Sequence, residues 1–218
     1  AFAEYVRVPG ENLYIVPEEL SDDQAVFAEP LAAALRIAEQ IHVKSQSSVA
    51  VLGDGKLGLL IAFSLGLYTE NVRLHGHHQE NLDIAASRGI NTLNTAVEDF
   101  NGKFAQYDNK YDLVVDATGS PSALDEAIQL TRAQGTIVLK TTSSESPCVD
   151  TSRIAVKELQ IQGSRCGNIS WALYNLQKGR INIAPLIEAV YPFHDFQQAM
   201  QHAAVKGAKK ILLDFSHL

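Results

Sequence analysis

The chain has 218 residues, enough for one or two domains with a sizeable apolar core. Hydrophobic residues make up 46% of it and charged residues 20%, and 18 lysines and arginines against 25 aspartates and glutamates leave a formal net charge of −7. This composition excludes a disordered or fibrous chain and argues against nucleic-acid binding through a basic surface.

The first residues predict two short strands. Phe2 to Val8 alternates in the manner of a strand, and Leu13 to Val16 is a second extended run after the turn-like Pro9-Gly10-Glu11-Asn12. The chain begins with Ala1 rather than Met and has no signal-peptide pattern, so we expect it to be a fragment of a longer protein.

A capped helix follows these strands. Ser21 and Gln24 have the spacing of a capping box, in which each side chain bonds to the backbone N–H of the other residue. An apolar run with helical spacing continues to Ile41, and Pro30 interrupts it. The pattern predicts a helix, a break at Pro30 and a second helix.

From Ser48 onward, short apolar runs alternate with helical segments, as in a parallel sheet covered by helices on both faces. Gly89 marks the end of the helix Gln79 to Arg88, and Ser120-Pro121 opens a helix that stops before Gly135. The predicted strands are Val49 to Leu52, Val72 to His75, Asn91 to Leu93, Leu113 to Asp116, Thr136 to Leu139 and Leu159 to Gln162. The fold class is therefore α/β, with a Rossmann-type doubly wound parallel sheet.

The carboxyl-terminal segment predicts two more helices and two extended runs. A helix is expected from Ser170 to Lys178, and another begins after Asp195, with Gln198 in the capping position. Extended runs are expected at Val190 to Phe193 and at Lys210 to Phe215.

Gly53, Gly55 and Gly58 form a G-x-G-x-x-G motif between a predicted strand and an apolar helix, Leu57 to Leu67. In a dinucleotide site the first glycine makes the tight turn, the second lets the backbone approach the pyrophosphate, and the third lets the helix pack on the strand. The helix N-terminus then offers N–H groups and partial positive charge to the phosphates. The alternative is a glycine-rich turn without a ligand.

We predict that Lys56 and Leu57 belong to the same phosphate site. Asp54 is an unfavourable neighbour for an anion, and Lys56 can offset its charge. An NAD site normally has an acidic residue after the second strand to hold the ribose 2′-OH, but here that strand runs into Gly76, His77 and His78. A histidine can donate to a 2′-phosphate, which favours NADP; the alternative is a site that accepts either coenzyme.

Two further strand ends are expected to flank the nicotinamide half of the coenzyme. They carry Asp116, Ala117, Thr118 and Gly119 after the fourth strand and Leu139, Lys140 and Thr141 after the fifth. Ligands of open α/β sheets bind at the carboxyl ends of the strands, where these residues lie. Asp116 can equally be a turn former before the next helix.

Taken in order, these pieces resemble the zinc-dependent medium-chain alcohol and polyol dehydrogenases over essentially the whole chain. The segments that carry the resemblance are Ala1-Phe-Ala-Glu-Tyr-Val, Ala28-Glu29-Pro30-Leu31, Val51 to Gly58, Gly163-Ser164-Arg165-Cys166 and Ala208 to Leu212. The resemblance implies hydride transfer between a small alcohol or carbonyl compound and NAD(P). It also implies that Lys209 reaches the coenzyme phosphates, and that part of a GroES-like catalytic domain accompanies the nucleotide domain.

The same resemblance implies a zinc site. Glu29 matches a zinc ligand or near-ligand of the polyol and threonine branches, while the other ligands of the family lie upstream of Ala1. A catalytic zinc needs three protein ligands, so we expect Glu29 to complete the site only in the intact protein. The alternatives are a zinc-free medium-chain reductase and a catalytically inert nucleotide-binding fragment.

The resemblance also divides the chain into a catalytic-domain remnant at 1–30, a dinucleotide-binding domain at 31–167 and a segment at 168–218 that returns to the catalytic domain. It implies a homo-oligomer, formed as a dimer through the edge strand of the nucleotide domain. The chain has only two cysteines, Cys148 and Cys166, so we expect a reducing, cytoplasmic location and no disulfide framework. We expect no membrane partner, because the longest charge-free apolar stretch is too short to cross a bilayer.

Overall fold

The computed structural model describes residues 2–3, 5–96, 104–143, 145–205 and 207–216. It divides into two compact units, one formed by Ala1–Glu29 with Ile169–Leu218 and the other by Pro30–Asn168. The domain boundaries expected from the sequence were 30/31 and 167/168. That the smaller unit belongs to a catalytic domain stays a prediction. Every helix in the described part of the chain is too short or too polar to span a bilayer.

The larger unit holds one parallel sheet of six strands. The strands are β1 (Val49–Leu52), β2 (Val72–Gly76), β3 (Asn91–Asn94), β4 (Tyr111–Asp116), β5 (Thr131–Leu139) and β6 (Gln160–Gly163), in the spatial order β3-β2-β1-β4-β5-β6. This order reverses between β1 and β4, which is the arrangement of a doubly wound nucleotide-binding sheet. The Rossmann-type fold class predicted from the sequence is confirmed.

Helices connect these strands. They are α2 (Ala28–Gln40), α3 (Lys56–Leu65), α4 (Gln79–Ala86), α5 (Ala123–Leu130) and α6 (Thr151–Val156), preceded by α1 (Asp22–Ala25) in the smaller unit. The core is continuous under β1, β4 and β5, where all four residues of β1 are buried. Strands buried on both faces are uniformly apolar, which explains why the run Val49 to Leu52 could be assigned from sequence.

The smaller unit pairs two strands in parallel, β7 (Ile187–Pro192) and β8 (Lys210–Asp214). It also contains α7 (Ile169–Gln177) and α8 (Phe196–Ala203). The predicted capping box is confirmed at α1, where the Ser21 hydroxyl accepts from the Gln24 N–H and the Gln24 side chain accepts from the Ser21 N–H. The predicted break at Pro30 is wrong: the helices separate at Val26 and Phe27, and Pro30 lies in the first turn of α2, where its missing N–H has no helical partner to lose.

The two strands predicted before Pro17 are also wrong. The described residues there form no strand, and the segment has only a short 3₁₀ turn at Gly10–Asn12. Its apolar side chains are exposed, with Ile15 at 95%. No described strand pairs with this segment, so an extended run has nothing to satisfy its backbone groups. Ala1 and Glu4 lie outside the described residues.

Candidate coenzyme site

The glycine loop between β1 and α3 has the geometry that a phosphate cradle needs. Gly53 has φ +98°, and a Cβ there would lie 2.9 Å from the carbonyl oxygen of Ala117. A Cβ on Gly58 would overlap the carbonyl of Gly53, because α3 packs directly on the turn. A Cβ on Gly55 would meet nothing within 4 Å. In chain order, Gly53 thus makes the turn, Gly55 leaves an open backbone surface and Gly58 allows close packing, which is the order in which a dinucleotide site uses its glycines.

The N-terminus of α3 opens onto this surface. Its N-cap is Gly55, which has no side chain to cap the helix, and Lys56 and Gly55 are exposed. The first amides of a helix have no partner within it, so those of Lys56, Leu57 and Gly58 are available to an external acceptor. The loop therefore fits a bound pyrophosphate, which would take up these N–H groups and the partial positive charge of the helix end.

Asp54, the acidic residue inside the glycine motif, points away from this surface. It is 5% exposed, and its Oδ2 accepts hydrogen bonds from the backbone N–H groups of His77 at 3.0 Å and His78 at 2.6 Å. Its Oδ1 lies 3.0 Å from Nδ1 of the His78 ring. The carboxylate is turned inward and held by donors of the second loop, and the offset of its charge by Lys56 stays a prediction.

The second loop is built around that carboxylate. A Cβ on Gly76 would overlap the Asp54 carboxyl, so glycine is needed where β2 ends. The side-chain amide of Asn81 in α4 donates to the Asp54 carbonyl at 3.0 Å. The adenosine-side residues predicted from sequence are therefore joined to the glycine loop: Gly76 is buried under Asp54, His77 is exposed, and His78 is partly exposed.

The ends of β4 and β5 meet at the same edge of the sheet. Asp116 pairs in register with Leu52 of β1 and with Leu139 of β5. Its Oδ1 accepts from the Thr118 N–H at 2.9 Å and from the Thr118 hydroxyl at 2.8 Å. Asp116 is thus used in a local turn, which favours the turn-former interpretation over a ligand role.

Thr141 joins the two strand ends, because its hydroxyl accepts from the Gly119 N–H at 2.8 Å. The Lys140 ammonium donates to the Ser164 hydroxyl at 3.0 Å and to the Arg165 carbonyl at 2.8 Å. The side chain of Lys140 therefore ties the end of β5 to the residues after β6. Ala117 contributes backbone next to Gly53, as its N–H donates to the Leu52 carbonyl at 2.9 Å.

Glu126 is a titratable residue at this edge that sequence reasoning missed. It lies half-buried in α5, and burial, together with the negative charge of Asp116, raises its pKa from 4.5 to about 7. The only signal in the sequence is a position between the buried Ala123 and Ala127 of one helix, and it does not indicate proximity to Asp116.

The remaining predicted residues lie in the smaller unit. Glu29 is exposed, and the described part of the chain contains no group of three or more His, Cys, Asp or Glu side chains able to hold a metal. The residues here do not by themselves fit a catalytic zinc, which needs three protein ligands. The Lys209 ammonium lies 3.6 Å from a Glu188 carboxylate oxygen. Cys148 and Cys166, which belong to the larger unit, are free and exposed.

Comparison with known proteins gives a consistent picture. Residues 55–178 match the profile of a family described as zinc-binding dehydrogenase. The chain is 32% identical to the starvation-sensing protein RspB of Escherichia coli K12 and 26% identical to D-arabitol-phosphate dehydrogenase of Enterococcus avium. These alignments cover 99% and 98% of this chain but only 66% and 64% of the relatives, so the chain spans about two thirds of their length.

Solved structures agree with the sequence relatives. RspB from Escherichia coli CFT073, described as a short chain alcohol dehydrogenase complexed with NADH, superposes with a TM-score of 0.87 at 30% identity, covering 95% of this chain and 64% of that one. A protein assigned to the zinc-binding dehydrogenases of Sinorhizobium meliloti 1021, bound to NADP, superposes with a TM-score of 0.89 at 25% identity, covering 98% and 65%.

Proposed function

The chain belongs to the zinc-binding dehydrogenases of the medium-chain alcohol and polyol dehydrogenase family, and from this premise we propose that it is the coenzyme-binding portion of such an enzyme. The proposed reaction of the intact protein is hydride transfer between a small alcohol or carbonyl compound and NAD(P). The nicotinamide ring supplies the hydride chemistry when bound, and this chain's share is to bind and orient the coenzyme.

The observation that carries the proposal is the open backbone of Gly55 at the uncapped start of α3. In this proposal the coenzyme diphosphate lies against the amides of Lys56 to Gly58, and its adenosine extends towards His77 and His78. The nicotinamide half lies towards Thr118 and Thr141. The NADH and NADP reported for the two solved relatives support a dinucleotide at this edge of the sheet.

Glu29 is proposed as a zinc ligand or near-ligand of the intact protein only. No step of the reaction is assigned to the metal in this chain, because the described residues include no group of three or more side chains able to hold it. Metal analysis of the full-length protein tests the point. Stoichiometric zinc supports the dehydrogenase, whereas coenzyme binding without zinc supports the zinc-free reductase.

We further propose a homo-oligomer formed through β6, and a cytoplasmic location. All four residues of β6 are exposed and the strand is at the edge of the sheet, so one side of its backbone is open to pairing with a second copy. The two free thiols fit the reducing conditions of the cytoplasm.

Titration of the 218-residue chain with NADH and with NADPH, followed by coenzyme fluorescence, tests the proposed function. We expect saturable binding with one coenzyme per chain. Failure of both coenzymes to bind at millimolar concentration would remove the proposed function.

A further inference from the structure

The Asp54 carboxylate is the fixed centre of the loop that follows β2. Asp54 is 5% exposed and holds two backbone N–H groups and the ring Nδ1 of His78 at once. Asp54 holds the Nδ1 edge of the His78 ring. The side chain is 37% exposed, so another part of the ring is in contact with solvent. This arrangement orients the imidazole before any ligand arrives.

The contact also determines which ring nitrogen carries the proton. A carboxylate can only accept, and Asp54 already accepts from two backbone N–H groups, so His78 Nδ1 must be the N–H donor. In the neutral ring the second nitrogen, Nε2, is then an acceptor. In the protonated ring Nε2 becomes a donor and the ring carries positive charge.

These two states match the two forms of the coenzyme. The ribose of NAD(H) presents a 2′-OH, which in most such sites donates to a carboxylate after the second strand. The ribose of NADP(H) presents a 2′-phosphate, which needs donors and positive charge. The Asp54 carboxylate, which reaches the start of this loop, is already occupied by the loop's own amides.

We infer that Asp54 is a positioning residue that fixes the tautomer of His78, so that one imidazole serves the ribose of either coenzyme. Neutral His78 accepts from the 2′-OH of NAD(H), and protonated His78 donates to the 2′-phosphate of NADP(H). The inference rests on the proposed function, and its consequence is a coenzyme preference that changes with pH.

Other charged residues lie in the segments that adjoin His78. Lys56 begins α3 and Glu80 lies in the first turn of α4, both exposed, and His77 precedes His78 in the same loop. The stretch Asn91 to Ala96, which holds β3 and the two residues after it, carries no charge. Variants of both histidines are therefore needed to separate His78 from His77.

The affinities of the chain for NADPH and NADH, measured at about pH 6 and about pH 8.5, test the inference. We expect the ratio of NADPH affinity to NADH affinity to be at least about fivefold higher at the lower pH. The 2′-phosphate also titrates near pH 6, but it does so in both proteins, so the comparison with His78→Gln, whose amide donates and accepts at either pH, isolates His78. We expect the pH-dependent change in this ratio to be at least about twofold smaller in His78→Gln than in wild type.

Two more histidine variants complete the test. His77→Gln should keep the pH dependence, because Asp54 does not hold that ring, and His42→Gln, before β1 at the opposite edge of the sheet, serves as the matched control. A wild-type ratio that does not change with pH, or a change of the same size in His78→Gln as in wild type, overturns the inference. In either case binding of both coenzymes leaves the proposed function intact, whereas absence of all binding removes both.

A spectroscopic signature tests the positioning role directly. In wild type at about pH 8.5, the ¹⁵N shifts of the His78 ring should report a proton on Nδ1. In Asp54→Asn the ring should show a mixture of tautomers. The Nε2–H tautomer in wild type would overturn the assignment. If Asp54→Asn does not fold, the wild-type spectrum and the His78→Gln titration still decide the question.

Discussion

At the scale of single residues, Gly55 and Asp54 give one short loop two roles, an open backbone for a ligand and an anchor for the loop after β2. Gly55 leaves the backbone bare where a diphosphate would lie, while its neighbour Asp54 turns inward and ties the loop to His77 and His78. An acidic residue inside a phosphate loop is therefore compatible with anion binding, because its charge is satisfied by donors on the other side.

Replacing Gly55 by valine should block the coenzyme without unfolding the chain. The residue has φ −70° and open space around its Cβ, so the valine is tolerated by the fold but occupies the place of the diphosphate. We expect NADH and NADPH affinities to fall by more than about tenfold, equivalent to about 1.4 kcal/mol. Gly10→Val, at another open glycine, is the control; equal coenzyme affinity in Gly55→Val and wild type would contradict the proposed site.

The raised pKa of Glu126 predicts that the free energy of unfolding depends on pH. Its pKa rises from 4.5 in the unfolded chain to about 7 in the fold, so the folded state favours the protonated carboxyl. The contribution of the protonated Glu126 carboxyl to the free energy of unfolding is fully present below pH 4.5. It is lost as the pH rises through about 7. Glu126→Gln should therefore stabilise the protein by less than about 1 kcal/mol at pH 5 and by up to about 3 kcal/mol at pH 8.

Urea unfolding of wild type and Glu126→Gln at these two pH values measures the effect. Glu80→Gln, on the exposed face of α4, is the matched control and should change neither free energy of unfolding. A stabilisation of equal size at both pH values would show that the carboxyl does not titrate in this range.

Individual residues of the two loops also show what could be predicted from the sequence and what could not. The three glycines follow a buried strand and open a helix, and that context was sufficient to predict the turn and the close packing. The direction of the Asp54 side chain was not predictable, because spacing within a loop does not say which donors of another loop lie beside it. Glu126 was missed for the same reason, since its neighbour Asp116 is brought close only by the packing of α5 on β4.

At the scale of elements, the corner between α5 and β5 depends on a side chain from α6. The ammonium of Lys157, at the C-cap of α6, donates to the backbone carbonyls of Ile128, Gln129 and Thr131. The last carbonyls of a helix lack partners within it, so the lysine supplies a donor to each of these three groups; the Gln129 carbonyl also accepts from the Asn109 N–H at 3.2 Å. Burial lowers the pKa of Lys157, and the nearby positive charge of Arg153 adds to this.

Lys157→Met should keep the aliphatic stem and lose all three hydrogen bonds. We expect the free energy of unfolding to fall by about 1–3 kcal/mol, because the carbonyls of Ile128 and Thr131 in this partly buried corner lose the lysine donor. Thermal or urea unfolding measures the loss, with the exposed Lys110→Met as control. Equal losses in the two variants would indicate that the corner does not depend on Lys157.

Element prediction succeeded where burial made the pattern simple. Both ends of β1 were predicted correctly, and the positions of all six strands of the sheet were predicted from the sequence. The helix expected to run almost to Gly135 ends at Leu130, because β5 begins at the buried Thr131. The helix α6 was missed, although Asp150 caps it by accepting from the Ser152 N–H. The two amino-terminal strands failed because alternation predicts a strand only where a partner strand exists.

At the scale of the whole molecule, the exposed edge of the six-stranded sheet is the feature from which the proposed oligomer follows. Ile161 in β6 is 40% exposed, an apolar residue on a strand that pairs with β5 on one side and with no described strand on the other. Such edges pair readily with a second chain, and a lysine on the edge discourages that pairing.

Ile161→Lys should therefore shift the chain from dimer to monomer in analytical ultracentrifugation. Val156→Lys, at an exposed apolar residue outside the sheet, is the control and should leave the distribution unchanged. A wild-type chain that is monomeric at the highest concentration measured would contradict the proposed dimer.

The central claim is that a nicotinamide coenzyme binds by its diphosphate to the amides of the loop between β1 and α3. A crystal structure of the chain grown with saturating NADPH tests it most directly. We predict diphosphate oxygens within hydrogen-bonding distance of the backbone N–H groups at Lys56 to Gly58, in contact with the open face of Gly55. Density for the coenzyme elsewhere, or a glycine loop without ligand at saturation, would contradict the account.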